Sequence, residues 1–181
     1  MTFNFQKRRI WAFTMDIFHN IHNTPWTHAL KGKRILIISP FVDSFKQQLK
    51  HRENIYGIDL FPECKFIFLK PPQTQAETDS KVFMEELNEF LPKLEKIRDD
   101  FDVALCSCGG YGNLICSRLY DMNKSAIYVG GVLQMYFGIY GERWLRERDD
   151  IIQLYKNKNW KRPMKSERPQ GHKNIEGNCY W

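Results

Sequence analysis

Residues 108–113, Cys-Gly-Gly-Tyr-Gly-Asn, and 130–134, Gly-Gly-Val-Leu-Gln, put glycines where a backbone can turn sharply and approach a ligand without a Cβ in the way. The chemistry this permits is anion binding. A helix that starts just after such a corner offers free N–H groups and a positive end to a phosphate. Gly109, Gly110, Tyr111, Gly112 and Asn113 make up the first corner, and Gly130, Gly131 and Gln134 the second. The G-G-x-G spacing lacks the third glycine of the dinucleotide fingerprint and the lysine of a P-loop, so a close-packed turn explains it equally well. Arg143, in Gly-Glu-Arg-Trp (141–144), follows the second corner; its planar guanidinium can grip a diphosphate or simply pack against Trp144. Arg118 is open to the same two readings.

Other chemistry-bearing residues assemble less well. Asp100 and Asp102 form a D-x-D that could chelate a divalent metal, but they precede a strand and so fall at the wrong end of a sheet for ligand work. Glu77 and Asp79 lie on the correct side, where a helix start explains them as well. Cys106 and Cys108 are expected on opposite faces of their strand, with no second pair to complete a zinc site, and read as core. His19, His22 and His28 lack cysteine or carboxylate partners, so no metal site is assigned. No G-x-S-x-G, H-E-x-x-H or Cys/His nucleophile pattern occurs.

The elements that must position these residues alternate. RILIISP (34–40) and DVALCSC (102–108) are continuous apolar runs, as strands covered on both faces should be; KFIFLK (65–70) and SAIYVGG (125–131) are two more strands. Between them lie helical spacings. Phe41, Phe45 and Leu49 lead to a breaker at Gly57; Phe83, Leu87, Phe90 and Leu94 follow a start that Asp79 or Ser80 can cap, with Pro92 expected to kink the helix. Ile115, Leu119 and Met122 mark the helix after the first glycine corner. Strand–helix alternation implies right-handed crossovers and an α/β fold: a three-layer Rossmann-like parallel sheet with helices on both faces. Ligands of such sheets bind beyond the carboxyl ends of the strands, which adds Ser39, after the first strand, and Gln73, after the second, to the candidate ligand-binding residues.

At 181 residues the chain suits one domain. Its net charge of +6 divides into +5 for residues 1–34, −3 for 35–141 and +4 for 142–181. We therefore read a basic N-terminal segment (1–34), a Rossmann-like core (35–141) and an extended basic C-terminal arm (142–181) packed on the core. No apolar run approaches the roughly 20 residues of a membrane span, and five cysteines in an odd, unframed pattern suit a reducing compartment. A soluble, cytoplasmic protein is expected. No nucleic-acid motif accompanies the basic ends, so nucleic acid is not expected as a partner. Tyr180 and Trp181 give the arm apolar anchors, which could also be exchanged between copies in a homo-oligomer.

PWTHALKGKRILIISPF (25–41), the block from Asp102 to Trp144, WKRP (160–163) and IEGNCYW (175–181) together resemble a poorly characterised family from bacterial surface-polysaccharide loci and large viruses. That family is similar, more distantly, to the C-terminal half of glycosyltransferases of the GT-D fold, which hold a nucleotide-sugar on a Rossmann-like sheet. The resemblance implies that Gly109, Gly110, Gly112, Asn113, Gly130, Gly131 and Gln134 line a donor pocket with Arg143 near the pyrophosphate. It implies a glycosyltransferase-like protein in surface or virion glycan synthesis, with a divalent metal as the cofactor such a donor can bring. The chain has no RFGDGE-like segment, the acidic motif that carries the metal in GT-D enzymes. No catalytic residue is thereby assigned; Asp43, Glu77 and Glu142 are the carboxylates whose expected positions allow a base. The alternative is a noncatalytic nucleotide- or sugar-binding accessory module. An NAD-dependent enzyme would want an acidic residue at the end of the second strand, where Lys70-Pro71-Pro72 stands.

Overall fold

The computed structural model describes residues 21, 23–75, 82–175 and 178–181. Four strands, β1 (Arg34–Ile38), β2 (Lys65–Leu69), β3 (Val103–Cys106) and β4 (Ser125–Tyr128), form one all-parallel sheet in the order β2-β1-β3-β4. From β1 the chain builds outward first to one side and then to the other. The crevice beyond the carboxyl ends of β1 and β3 is therefore the topological switch point, where open parallel sheets bind ligands.

The period-2 alternation of the strands splits the core in two. Ile35, Ile37, Val103 and Leu105 face one apolar cluster; Leu36, Ile38, Ala104 and Cys106 face the other. Helices α3 (Phe83–Lys96) and α4 (Tyr111–Asp121) cover the second face through Leu87, Phe90, Leu94, Ile115 and Leu119. The first face is covered by α1 (Val42–Gln48), α2 (Arg52–Tyr56), α5 (Leu133–Tyr136) and the residues after Gly141. The three-layer Rossmann-like expectation thus holds.

Several local expectations need correction. The helix after β1 is two short helices joined by a 3-10 turn at Leu49–His51, and Gly57 ends the second at φ 76°. Helix α3 starts at Phe83 with Val82 as its N-cap, so the caps expected from Asp79 and Ser80 do not apply; both residues, with Glu77, lie outside the described residues. Cys106 and Cys108 pack into the same cluster rather than on opposite faces, Cys106 from the end of β3 and Cys108 from the loop that follows, and residues two apart on an extended chain point the same way. The arm opens with two helices, α6 (Glu142–Glu147) and α7 (Asp149–Tyr155), and turns irregular only afterwards. It is core as much as surface: Trp144, Ile151, Ile152, Trp160, Ile175 and Trp181 are all buried. Among the described residues no helix is long and apolar enough to cross a membrane.

Candidate functional site

A cavity of about 310 Å³ opens at the switch point. All four strand ends reach it: Pro40 and Phe41 after β1, Pro71–Gln75 after β2, Ser107–Tyr111 after β3, and Tyr128 at the end of β4 with Gly131 beyond it. The far wall comes from the arm, as Ile175, Tyr180 and Trp181. None of the described lining residues is charged; the wall offers the amides of Gln73 and Gln75, the hydroxyls of Thr74, Ser107 and three tyrosines, and aromatic rings.

The first glycine corner uses its glycines for three different purposes. Gly109 sits at φ 51° and lets the chain reverse after β3. Gly110 is exposed at the start of α4, and a Cβ there would meet only the Phe83 ring edge, at 3.8 Å. At Gly112 a Cβ would fall 2.1 Å from Cε2 of Tyr128, so this glycine exists to let the Tyr128 ring lie against the helix. The Tyr128 hydroxyl then donates to the Gly109 carbonyl at 3.2 Å. Tyr111 is fixed as well: its ring stacks on Phe83 at 4.0 Å, and its hydroxyl lies 3.2 Å from both the Phe83 carbonyl and the Thr74 hydroxyl.

Part of the corner's donor set is already used. The Tyr111 N–H donates to the Cys108 carbonyl at 3.2 Å and the Gly112 N–H to the Gly109 carbonyl at 3.0 Å, so two donors that a phosphate would need at this helix end are engaged. The corresponding end of α1 is filled from within. Glu167 of the arm, 3% exposed, accepts from the Asp43 and Ser44 N–H groups at 2.8 and 3.1 Å and from the Ser44 hydroxyl.

Of the candidate ligand-binding residues, the cavity brings together Gln73, Gly109, Gly110, Tyr111 and Gly131. Ser39 is fully buried and accepts from the Phe41 N–H at 3.3 Å, closing the turn after β1. Gly112 lies behind Tyr128, Asn113 is exposed on α4, and Gly130 turns the chain at φ 74° beside the lining. Gln134 and Arg143 serve the arm. Gln134 donates to the Tyr180 carbonyl and accepts from Trp144 Nε1, both at 3.2 Å; the Arg143 guanidinium lies 5.3 Å from the Tyr180 ring centre. What the sequence reading missed is the arm's part of the wall and Tyr128, whose only signal was an aromatic at the end of a strand.

The remaining candidates are occupied elsewhere. Asp102 binds Arg34 at 2.8 Å, Arg118 binds Glu95 at 2.5 Å, Asp43 pairs with Lys46 at 3.2 Å and Glu142 with Arg162 at 2.6 Å. His28 approaches the Asp59 carbonyl at 3.0 Å, while His19 and His22 lie outside the described residues. No group of His, Cys, Asp and Glu among the described residues could hold a metal ion. The thiols are not activated toward the cavity: burial pushes the Cys108 thiol up to about 12. No family model, curated protein or solved structure matches the chain.

Proposed function

We propose that this is a glycosyltransferase-like protein of surface or virion glycan synthesis that binds a nucleotide-sugar at the carboxyl edge of its sheet and acts there as a binding module. The observation that carries the reading is a cavity at the switch point whose described walls are aromatic and neutral-polar. Such walls can hold and orient a polyhydroxylated ligand. Displacement at an anomeric carbon further requires charge stabilisation for the departing diphosphate. The described lining is neutral, so what it supports directly is binding of the ligand.

The test is a thermal-shift series with UDP-, GDP-, CMP- and TDP-sugars, NAD and inorganic phosphate, with and without manganese, followed by an assay for released nucleotide. A ligand that binds only the native state raises Tm by mass action. One nucleotide-sugar is expected to stabilise the protein with no nucleotide released. Release on adding an acceptor would make the protein a transferase, and stabilisation by NAD alone would remove the glycan reading.

A further inference from the structure

We infer that Tyr128 is a preformed stacking platform for the sugar ring, and that the cavity is built around one such ring rather than around the diphosphate or the base. This rests on the proposed nucleotide-sugar reading and specifies which part of that ligand the protein grips.

Four observations converge on it. First, Tyr128 is 45% exposed at the cavity yet held in place, by the Gly112 backbone beneath its ring and by its hydrogen bond to Gly109. An aromatic ring fixed before binding presents area at small entropic cost. Second, the described walls are uncharged, with hydroxyl and amide groups from Thr74, Ser107, Gln73 and Gln75. Amides and hydroxyls both donate and accept, as a ring bearing several hydroxyls requires. Third, 310 Å³ is near the lower bound of ligand cavities, which run from about 300 to 1,000 Å³. A pyranose ring fits within that volume, and the rest of a nucleotide-sugar would extend toward the cavity mouth. Fourth, the N–H groups of Tyr111 and Gly112 are bonded within the loop, so these two donors at the start of α4 are not offered to a phosphate. A pyranose matches this set: its C–H face carries the positive edge that meets the negative face of an aromatic ring, and its hydroxyls point outward to the amides.

The experiment uses the full chain with free glucose, galactose, mannose and N-acetylglucosamine, their 1-phosphates, the matching nucleotide-sugars, and UDP and GDP alone. Saturation-transfer NMR reads which ligand protons contact the protein, and titration gives Kd for wild type, Tyr128→Phe and Tyr128→Ala. The expected result is strongest transfer to sugar-ring protons, no competition by UDP or GDP alone, and Kd raised about tenfold or more by Tyr128→Ala but little changed by Tyr128→Phe. Tyr128→Phe keeps the ring on Gly112, so a stacking role survives in it even if Tyr128→Ala is unstable.

If transfer concentrates in the base protons and UDP or GDP competes fully, the inference is overturned while the nucleotide-sugar reading stands. If free sugars and sugar 1-phosphates bind through the ring and nucleotide-sugars do not, the inference stands and that reading fails. An unchanged Kd in Tyr128→Ala, or no binding across the panel, sinks the platform outright.

Discussion

At the scale of single residues, chemistry-bearing types are sorted by their neighbours. Asp102, in a D-x-D at the amino end of β3, is engaged by Arg34: the side chain donates to it from Nε and Nη2, the Arg34 backbone N–H adds a third bond, and together they hold its carboxyl at about 2. A carboxyl depressed on folding stabilises the native state above its ordinary 3.8, and that contribution is lost as pH falls through about 2. With 44% and 36% of the two side chains exposed, solvent and salt screen the pair and its contribution is small. Asp102→Asn should therefore lower Tm by less than about 2–4 °C at pH 7, and the gap to wild type should narrow as pH is taken from 5 to 2. A gap constant with pH would show that the carboxylate's charge is irrelevant. The thiols make a second prediction. Cys106 donates a hydrogen bond to Cys116, which raises its own pKa and lowers that of Cys116, while burial raises Cys108. Iodoacetamide at pH 8, read by peptide mass mapping, should modify Cys116 before Cys108 even though Cys108 lines the cavity.

At the scale of elements, the central strands β1 and β3 were legible because burial on two faces demands continuous apolar runs, the edge strands β2 and β4 as short apolar runs ended by prolines or glycines, and the helices between them by their 3.6 period. The glycine corner was legible as a corner, whereas the packing that its glycines permit was not. Sequence spacing shows that Gly112 is small, but not that Tyr128, sixteen positions later, needs the space. This yields a contrast between two alanine substitutions. Gly112→Ala forces a methyl into the Tyr128 ring, an overpacking that costs about 1–3 kcal/mol or displaces the ring. Gly110→Ala meets only a distant Phe83 edge, keeps an ordinary φ of −59°, and should fold with nearly wild-type stability while placing its methyl at the cavity floor. Denaturation and ligand titration together should then separate them: the first loses stability and binding, the second binding alone. Equal stability loss in both would mean that the corner is tight throughout and that Tyr128 is not what Gly112 accommodates.

At the scale of the whole molecule, the arm decides the site, and its role was invisible in sequence because every decisive contact is long-range. Glu167 bonds to residues 123 and 124 positions earlier, Gln134 reaches Tyr180, and Arg162 ties the arm to itself by donating to the Trp181 main-chain oxygen at 3.0 Å. At Gly141 a Cβ would lie 2.4 Å from the Tyr180 carbonyl carbon, so the arm's return runs directly over that backbone. One wall of the cavity therefore exists only while the arm is docked, and docking and ligand binding must be linked: whatever favours one favours the other by the same free energy. Glu167→Ala tests the linkage away from the cavity lining. It strips a buried acceptor from the Asp43 and Ser44 N–H groups, the Ser44 hydroxyl and the Met164 N–H, and should cost about 2–4 kcal/mol. If the arm loosens as a unit, this variant should be cleaved faster by trypsin at Lys161, Lys165 or Lys173, should bind the ligand more weakly, and should regain protection at saturating ligand. Weak binding without faster cleavage would place the effect in α1 instead, and fast cleavage with unaltered affinity would mean that Ile175, Tyr180 and Trp181 enclose the ligand without gripping it.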